Sequence, residues 1–169
     1  MENRGIIRVK PITIQITFRD RILPVELSCK SEYALLALLE LATHYNSGEP
    51  LQIRQIAAEQ NIPDRYLEQL LATLRRGGLV KSQRGAKGGY VLAREPWKIN
   101  LLEVVGCLEG SNSNLSEEET KPKTVESGVI QEIWTEARQA ANLVLQNYTL
   151  QDICDQRAAR KQLNIMYYI

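Results

Sequence analysis

The sequence predicts a mainly α-helical protein that carries one small β-hairpin. Apolar residues recur at helical spacing in three segments between Ser31 and Arg76, with short breaks between the segments. A glycine-rich basic turn then joins two β-compatible runs, and a polar stretch separates this region from a second set of helical stripes. Two short helices before a hairpin form a winged helix-turn-helix, so we expect such a domain followed by a long C-terminal helix.

The first three helices have clear boundaries in the sequence. The first runs from Ser31 to about Tyr45, and turn-forming residues end it. The second covers residues 53–60, and Pro63 suits the start of a third helix that continues to Arg76, where two glycines stop it. The leucines on the inner side of the third helix are predicted to lie in the core: Leu67, Leu70, Leu71 and Leu74.

The predicted hairpin has the sequence VKSQRGAKGGYVLAREP, from Val80 to Pro96. Its glycines lack the spacing of a phosphate-binding P-loop, and no helix follows them as in a dinucleotide-binding turn. The residues on both sides are β-compatible instead. The glycines therefore lie at a hairpin tip, from which the cations Arg84 and Lys87 project.

Two cap-like pairs predict helix starts in the C-terminal part. Asn100 and Glu103 resemble a cap pair that opens a short helix. Thr149 and Asp152 resemble a second pair, which opens a helix that continues to about Lys161.

A linker and a long helix lie between these two starts. Residues 111–127 are rich in Ser, Asn, Glu, Thr, Lys and Pro, which is typical of a loop. The helix after it carries an apolar stripe on one side, formed by Ile130, Ile133, Trp134, Ala137, Ala141, Val144 and Tyr148.

Charge is distributed unevenly along the chain, although the formal net charge is only +1. Residues 63–98 contain eight cations and three anions, whereas residues 109–136 contain seven glutamates and two lysines. A basic segment beside an acidic one indicates a face for a nucleic acid better than the overall charge does.

Several classes of protein are excluded or disfavoured by composition. No apolar run approaches the roughly 20 residues that span a bilayer, and no secretory signal is recognisable, so we expect a cytoplasmic protein without membrane contact. Cys29, Cys107 and Cys154 are far apart and form no disulfide framework. With His44 as the single histidine, catalytic triads and metal motifs have no basis, and we expect no enzyme.

Three segments resemble the Rrf-type family of bacterial winged helix-turn-helix transcription regulators. They read LSCKSEYALLALLELA, IPDRYLEQLLATLRRGGLVKSQRGAKGGYVLA and INLLEVVGCLEG. The resemblance implies a DNA-binding domain over 25–110, a linker over 111–127, and a dimerisation helix with its tail over 128–169. It also implies a homodimer that binds double-stranded DNA. The two subunits pair through the apolar stripe of the long helix, and Tyr148 is not among the predicted interface residues. Family members begin at a residue that aligns with Val25. Residues 1–24 are therefore predicted to be an N-terminal extension, which would not be translated if translation starts at the codon of Val25.

The resemblance also implies which residues contact DNA. Polar side chains early in the third helix reach base edges, and hairpin cations neutralise phosphates. The helix residues are Arg65, Tyr66, Glu68 and Gln69, and the hairpin residues are Arg84 and Gly85. Arg75 and Lys87 are phosphate contacts or plain surface residues. One alternative is that these residues form a solvated polar helix face. Another is a winged helix that binds protein and not DNA.

The signal that such a regulator reads stays open in the sequence. The cluster-binding relatives carry three cysteines in the loop that corresponds to 111–127, and this chain has none there. We therefore predict no cofactor, with an atypical iron-sulfur cluster assembled across the dimer as an alternative. Oxidation of Cys29 is a further alternative, because it lies near the start of the first helix.

The tail residues resemble those of the family's cysteine-metabolism repressors more than those of its iron-sulfur regulators. A terminal isoleucine is also the feature by which serine acetyltransferase docks into O-acetylserine sulfhydrylase. The resemblance thus implies a repressor of sulfur, cysteine or redox-related genes, with Tyr168 and Ile169 as docking residues for the sulfhydrylase. Packing of these residues on the dimer helix is the alternative.

Overall fold

The structure is a computed structural model that describes residues 27–85, 87–109 and 124–166. The described residues confirm the predicted class, because they form helices and one two-stranded antiparallel hairpin. The helices are α1 (Cys29–Thr43), α2 (Ile53–Gln60), α3 (Asp64–Arg76), α4 (Leu101–Glu109), α5 (Val125–Gln146) and α6 (Leu150–Met166). The strands are β1 (Val80–Gln83) and β2 (Gly89–Leu92), and single 3-10 turns cover Tyr45–Ser47 and Pro96–Lys98.

Helix α1 begins earlier than the sequence indicated. Ser28 caps it, with its hydroxyl accepting a hydrogen bond from the amide of Ser31 at 3.1 Å. The predicted start at Ser31 was wrong because the first turn is polar and carries no apolar periodicity. The hydroxyls of Ser28 and Ser31 both donate to Glu109 Oε1, at 2.6 and 2.9 Å, so the start of α1 is tied to the end of α4. These bonds lower the pKa of the Glu109 carboxyl.

The core lies between helices α1 to α4, with contributions from the hairpin and α6. Leu67, Leu71 and Leu74 are fully buried and Leu70 nearly so, as the spacing in α3 predicted. Ala34, Ala37 and Leu38 of α1 are also fully buried. Small residues in α1 let neighbouring helices approach closely, and the long leucines of α3 fill the space between them.

The hairpin is paired to a third stretch of chain. Strands β1 and β2 pair with Val80 opposite Leu92 and Gln83 opposite Gly89. Leu51, just before α2, bridges to Tyr90 through two backbone hydrogen bonds of 3.0 and 2.8 Å. A Cβ on Gly89 would lie 2.4 Å from the Leu51 carbonyl oxygen, so only glycine permits this approach.

Both predicted cap pairs are confirmed. The amide of Glu103 donates to Asn100 Oδ1 at 2.9 Å. Thr149 and Asp152 cap each other, since the Thr149 amide donates to Asp152 Oδ2 at 2.7 Å and the Asp152 amide donates to Thr149 Oγ1 at 3.2 Å. Helix α6 then continues to Met166, past the predicted end at Lys161, because no helix-breaking residue stands between them.

Helix α5 contains no buried residue. It begins at Val125, inside the range 111–127 that the sequence predicts to be a linker, and it packs mainly against α4. Large apolar side chains along it are more than half exposed: Val125, Val129, Ile130, Ile133, Trp134, Leu143 and Val144. Among the helices that the structure describes, none is long and apolar enough to cross a membrane.

Candidate nucleic-acid interface

The outer face of α3 presents polar side chains near the start of the helix. Arg65, Glu68 and Gln69 are exposed, whereas the neighbouring Leu67 and Leu70 point into the core. This division follows the helical period, since residues three and four apart share a face. Guanidinium, carboxylate and amide groups can each pair with base edges in a DNA major groove.

Tyr66 has a different environment from the other predicted helix residues. It is half-buried, and its ring packs edge-to-face against Tyr33 of α1 with centroids 5.8 Å apart. Such a pair fixes the rotation of α3 on α1. Part of the role of Tyr66 is therefore to orient the helix that carries Gln69.

The hairpin tip contains a backbone conformation that favours glycine. Arg84, Gly85 and Lys87 are exposed. Gly85 has φ of 115°, a conformation that other residues rarely adopt, and no atom lies within 4 Å of the position where its Cβ would be. The backbone at Gly85 is therefore accessible to a groove of DNA.

A side-chain contact connects α3 to the hairpin. Arg75 Nη1 donates to Ser82 Oγ at 3.3 Å, from the last turn of α3 to strand β1. Arg76 Nη2 donates to Thr73 Oγ1 at 3.2 Å. Arg75 thus connects the two elements that were predicted to contact DNA.

Ion pairing distinguishes two groups of cations in the basic segment. Arg94 pairs with Glu103, and Lys98 pairs with Glu95 at 2.9 Å. Within the part of the chain that the structure describes, the other six have no carboxylate within ion-pair distance. They are Arg65, Arg75, Arg76, Lys81, Arg84 and Lys87. Among the described residues, these six charges have no ion-pair partner and are available to neutralise phosphates.

Sequence reasoning missed a groove between the start of α2 and the hairpin. It has a volume of about 320 Å³, and its lining includes Gln52, Arg54, Ser82 and Gly88. The pairing of Leu51 with the hairpin brings α2 to this position. The polar residues around the start of α2 were a signal, but nothing local in the sequence places them beside the hairpin.

The soft ligands in the described residues do not form a metal site. Cys29 is exposed at the start of α1, Cys107 lies against α3, and Cys154 lies on α6. No group of three or more Cys, His, Asp or Glu residues in the described ranges could hold a metal ion. These residues do not fit an iron-sulfur cluster within one subunit.

The residues predicted for the dimer and for docking lie outside this interface. Ile130, Ile133, Trp134, Ala137 and Val144 of α5 are exposed, and Ala141 is half-buried. Tyr168 and Ile169 lie outside the described residues.

Comparison with known proteins identifies relatives over most of the chain. The model of the Rrf2 family, described as iron-dependent transcriptional regulators, matches residues 27–156. The HTH-type transcriptional regulator CymR of Bacillus subtilis is 36% identical over 145 residues, covering 85% of this chain and 99% of that protein. Protein rrf2 of Nitratidesulfovibrio vulgaris is 35% identical over 131 residues, covering 76% of this chain and 87% of that protein.

Solved structures give the same result. The structure of IscR from T. potens superposes with a TM-score of 0.66 at 36% identity, covering 79% of this chain and 89% of that chain. The structure of B. subtilis CymR, named there as the global cysteine regulator, superposes with a TM-score of 0.63 at 37% identity. The second match covers 78% of this chain and 98% of that chain.

Proposed function

This chain belongs to the Rrf2 family of DNA-binding transcriptional regulators, and from that premise we propose that it acts as a dimeric repressor of genes for sulfur and cysteine metabolism. It is a regulator and not an enzyme. The partner it recognises is double-stranded DNA, and because bacterial DNA lies in the cytoplasm, the proposal places the protein there.

The observation that carries this proposal is the joint surface of α3 and the hairpin. Exposed Arg65, Glu68 and Gln69 lie on α3, and free cations lie on the hairpin connected to it through Arg75. We assign the helix residues to base edges and Arg84, Lys87 and the Gly85 backbone to phosphates and the minor groove. Arg75 contributes by holding the two parts in register.

Separate substitutions should distinguish base recognition from phosphate binding. Gln69→Ala should cost about 1–3 kcal/mol on the operator and relax its sequence preference, because a bidentate base contact is lost. Lys87→Ala should weaken binding to operator and random DNA alike and reduce the salt dependence by about one counterion. Fluorescence anisotropy at several salt concentrations measures both effects.

The outcomes also test the function itself. An equal loss on operator and random DNA for Gln69→Ala would contradict its assignment. If the affinity of the unaltered protein for DNA does not change with salt concentration, a protein-binding winged helix is favoured instead. Binding to a polyanion would release counterions and so depend on salt.

The dimer is proposed from the surface of α5. Its exposed apolar side chains, among them Ile130 and Ile133, form a stripe along the helix. Monomeric proteins rarely leave an apolar patch of this extent exposed to solvent. A second copy of α5 covers this stripe in the proposed dimer. Two α3 helices then reach two half-sites on one face of the DNA.

For the signal, we propose oxidation of Cys29. Cys29 is exposed, whereas Cys107 and Cys154 are half-buried and burial raises the pKa of both thiols. A thiol with a raised pKa is less often the reactive thiolate. Hydrogen peroxide would transfer one oxygen to the Cys29 thiolate, giving the sulfenate and water.

Replacement of Cys29 should therefore remove peroxide sensitivity. We expect operator binding by the unaltered protein to fall after brief peroxide treatment and to recover with dithiothreitol. The Cys29→Ser variant should keep its affinity, while Cys154→Ser serves as the control and should respond like the unaltered protein. Equal sensitivity of all three proteins would contradict the role of Cys29.

The proposed link to cysteine supply is a complex with O-acetylserine sulfhydrylase. The support is the sequence of residues 164–169, in which aromatic residues precede an isoleucine. A terminal carboxylate bound by backbone amides and an isoleucine in an apolar pocket would provide the recognition.

Calorimetry tests this complex directly. Deletion of Ile169 should abolish binding to the sulfhydrylase while leaving the melting temperature and the dimer unchanged. A truncated protein that binds the enzyme as well as the unaltered one, or an unaltered one that does not bind, would remove the complex from the proposal.

A further inference from the structure

Helix α4 connects the recognition helix to the helix of the proposed dimer. It packs against α3 and against α5. At its start, the amide of Leu101 donates to the carbonyl of Tyr148 at 2.9 Å, and the amide of Leu150 donates to the carbonyl of Ile99 at 3.0 Å. These bonds join the start of α4 to the junction between α5 and α6. The position of α3 relative to a partner copy therefore depends on how α3 sits on α4.

The contact between α3 and α4 includes Cys107 and Gly77. The Cys107 thiol on α4 donates to the carbonyl oxygen of Thr73 on α3, at 3.7 Å. A Cβ on Gly77, which caps the end of α3, would lie 2.3 Å from Cys107 Sγ, whereas ordinary contact begins at 3.4 Å. The sulfur thus occupies the space that a side chain at residue 77 would need.

Backbone conformation does not explain this glycine. Gly77 has φ of −75° and ψ of 0°, which any residue adopts. The neighbouring Gly78 has φ of 73° and open space around its Cβ position, so its requirement is conformational. At Gly77 the Cys107 sulfur fills the space of a side chain, so the glycine permits the present distance between α3 and α4.

We propose that the contact of Gly77 with Cys107 sets the separation of the two recognition helices in the dimer, and with it the half-site spacing that the dimer accepts. Gln69 lies two turns before Gly77, about 12 Å along the helix axis. A tilt at the contact is therefore carried to the base-reading residues. A shift of roughly 1 Å in each of two copies is a large part of the 3.4 Å between base pairs. The inference rests on the proposed dimer.

The proposal is tested by enlarging the side chain at residue 77 and reducing the one at residue 107. The operator is first selected from random DNA with the unaltered full-length protein, and base pairs are then added or removed at its centre. Binding to this series and to a single half-site is measured for Gly77→Ala, for Gly77→Ala combined with Cys107→Ala, and for Gly106→Ala. Gly106, also on α4, has no atom within 4 Å of its Cβ position and is the matched control.

We expect Gly77→Ala to lose about tenfold in affinity at the original spacing, comparable to one good base contact, and to prefer a different spacing. Its half-site affinity should stay unchanged. Removal of the sulfur in the double variant should restore the original preference, because the Cys107 Cβ would be 3.4 Å away. Gly106→Ala should behave like the unaltered protein.

Other results would overturn the inference. An unchanged spacing preference for Gly77→Ala, or an equal loss on half-site and full operator, would show that the contact does not set the spacing. If circular dichroism shows Gly77→Ala to be unfolded, the Cys107→Ala variant is used alone. The gap that it leaves should broaden the range of accepted spacings, and an unchanged range would contradict the inference. Absence of any spacing preference in the unaltered protein would overturn the inference, whereas the dimer on which it rests is tested separately by sedimentation.

Discussion

Replacement of Ile133 by glutamate should dissociate the protein and abolish tight operator binding. Ile133 is 59% exposed on α5, in the middle of the stripe that a second copy is proposed to cover. In the dimer the new carboxylate would be buried without a partner, at a cost of several kcal/mol for each of the two copies. Since about 1.4 kcal/mol is tenfold in affinity, the dimer dissociation constant should rise by about a thousandfold or more. Sedimentation equilibrium measures it.

A matched substitution separates burial from charge. Gln131→Glu adds the same carboxylate about 200° around α5, on its polar face, where it stays in water. This variant should remain a dimer and bind the operator normally. If Ile133→Glu also sediments as the unaltered protein does, the stripe is covered by something other than a second copy. Unchanged thermal unfolding of the winged domain in both variants would show that the fold is intact.

Replacement of Gly89 by alanine should detach the hairpin from the segment before α2. The added Cβ would lie 2.4 Å from the carbonyl oxygen and 2.6 Å from the carbonyl carbon of Leu51. Both are backbone atoms, so no rotamer change relieves the clash. Overpacking of this kind costs about 1–3 kcal/mol. A displaced hairpin should also lower operator affinity about tenfold, because its cations no longer align with α3.

Hydrogen exchange locates the effect of Gly89→Ala. The amides of Leu51 and Tyr90, which bond to each other's carbonyls, should lose protection while the amides of α3 keep theirs. Gly106→Ala, with open space at its Cβ position, should change neither protection nor affinity. Intact protection at Leu51 in the Gly89 variant would contradict the expected detachment.

Local chemistry explains which parts of the fold were predictable. The caps at Asn100 and Thr149 are visible in the sequence because both partners lie within one helical turn. The leucines of α3 are visible because their spacing repeats. The end of α6 was misplaced because residues 161–166 contain neither a proline nor a glycine that would mark a boundary in the sequence.

Contacts between distant segments were not predictable from one sequence. Leu51 resembles an ordinary loop residue until its pairing with Tyr90 shows that it extends the hairpin. Gly77 is predicted only as a helix stop. Its contact partner Cys107 lies beyond the whole hairpin in the sequence. The residues of α3 that are proposed to contact bases came from family resemblance, since exposure alone does not distinguish a solvated face from a recognition face.

The carboxylates at the helix junctions have a consequence for acid stability. Hydrogen bonds from Ser28 and Ser31 lower the pKa of Glu109, and bonds from Thr149 lower that of Asp152. A carboxyl whose pKa is depressed by folding stabilises the protein at pH values above its unfolded pKa, and this contribution is lost as pH falls through the folded value. The ordinary values are 4.5 for glutamate and 3.8 for aspartate. The stabilisation from both carboxylates is therefore fully present throughout the neutral pH range. Ordinary changes in cellular pH should leave these hydrogen bonds intact.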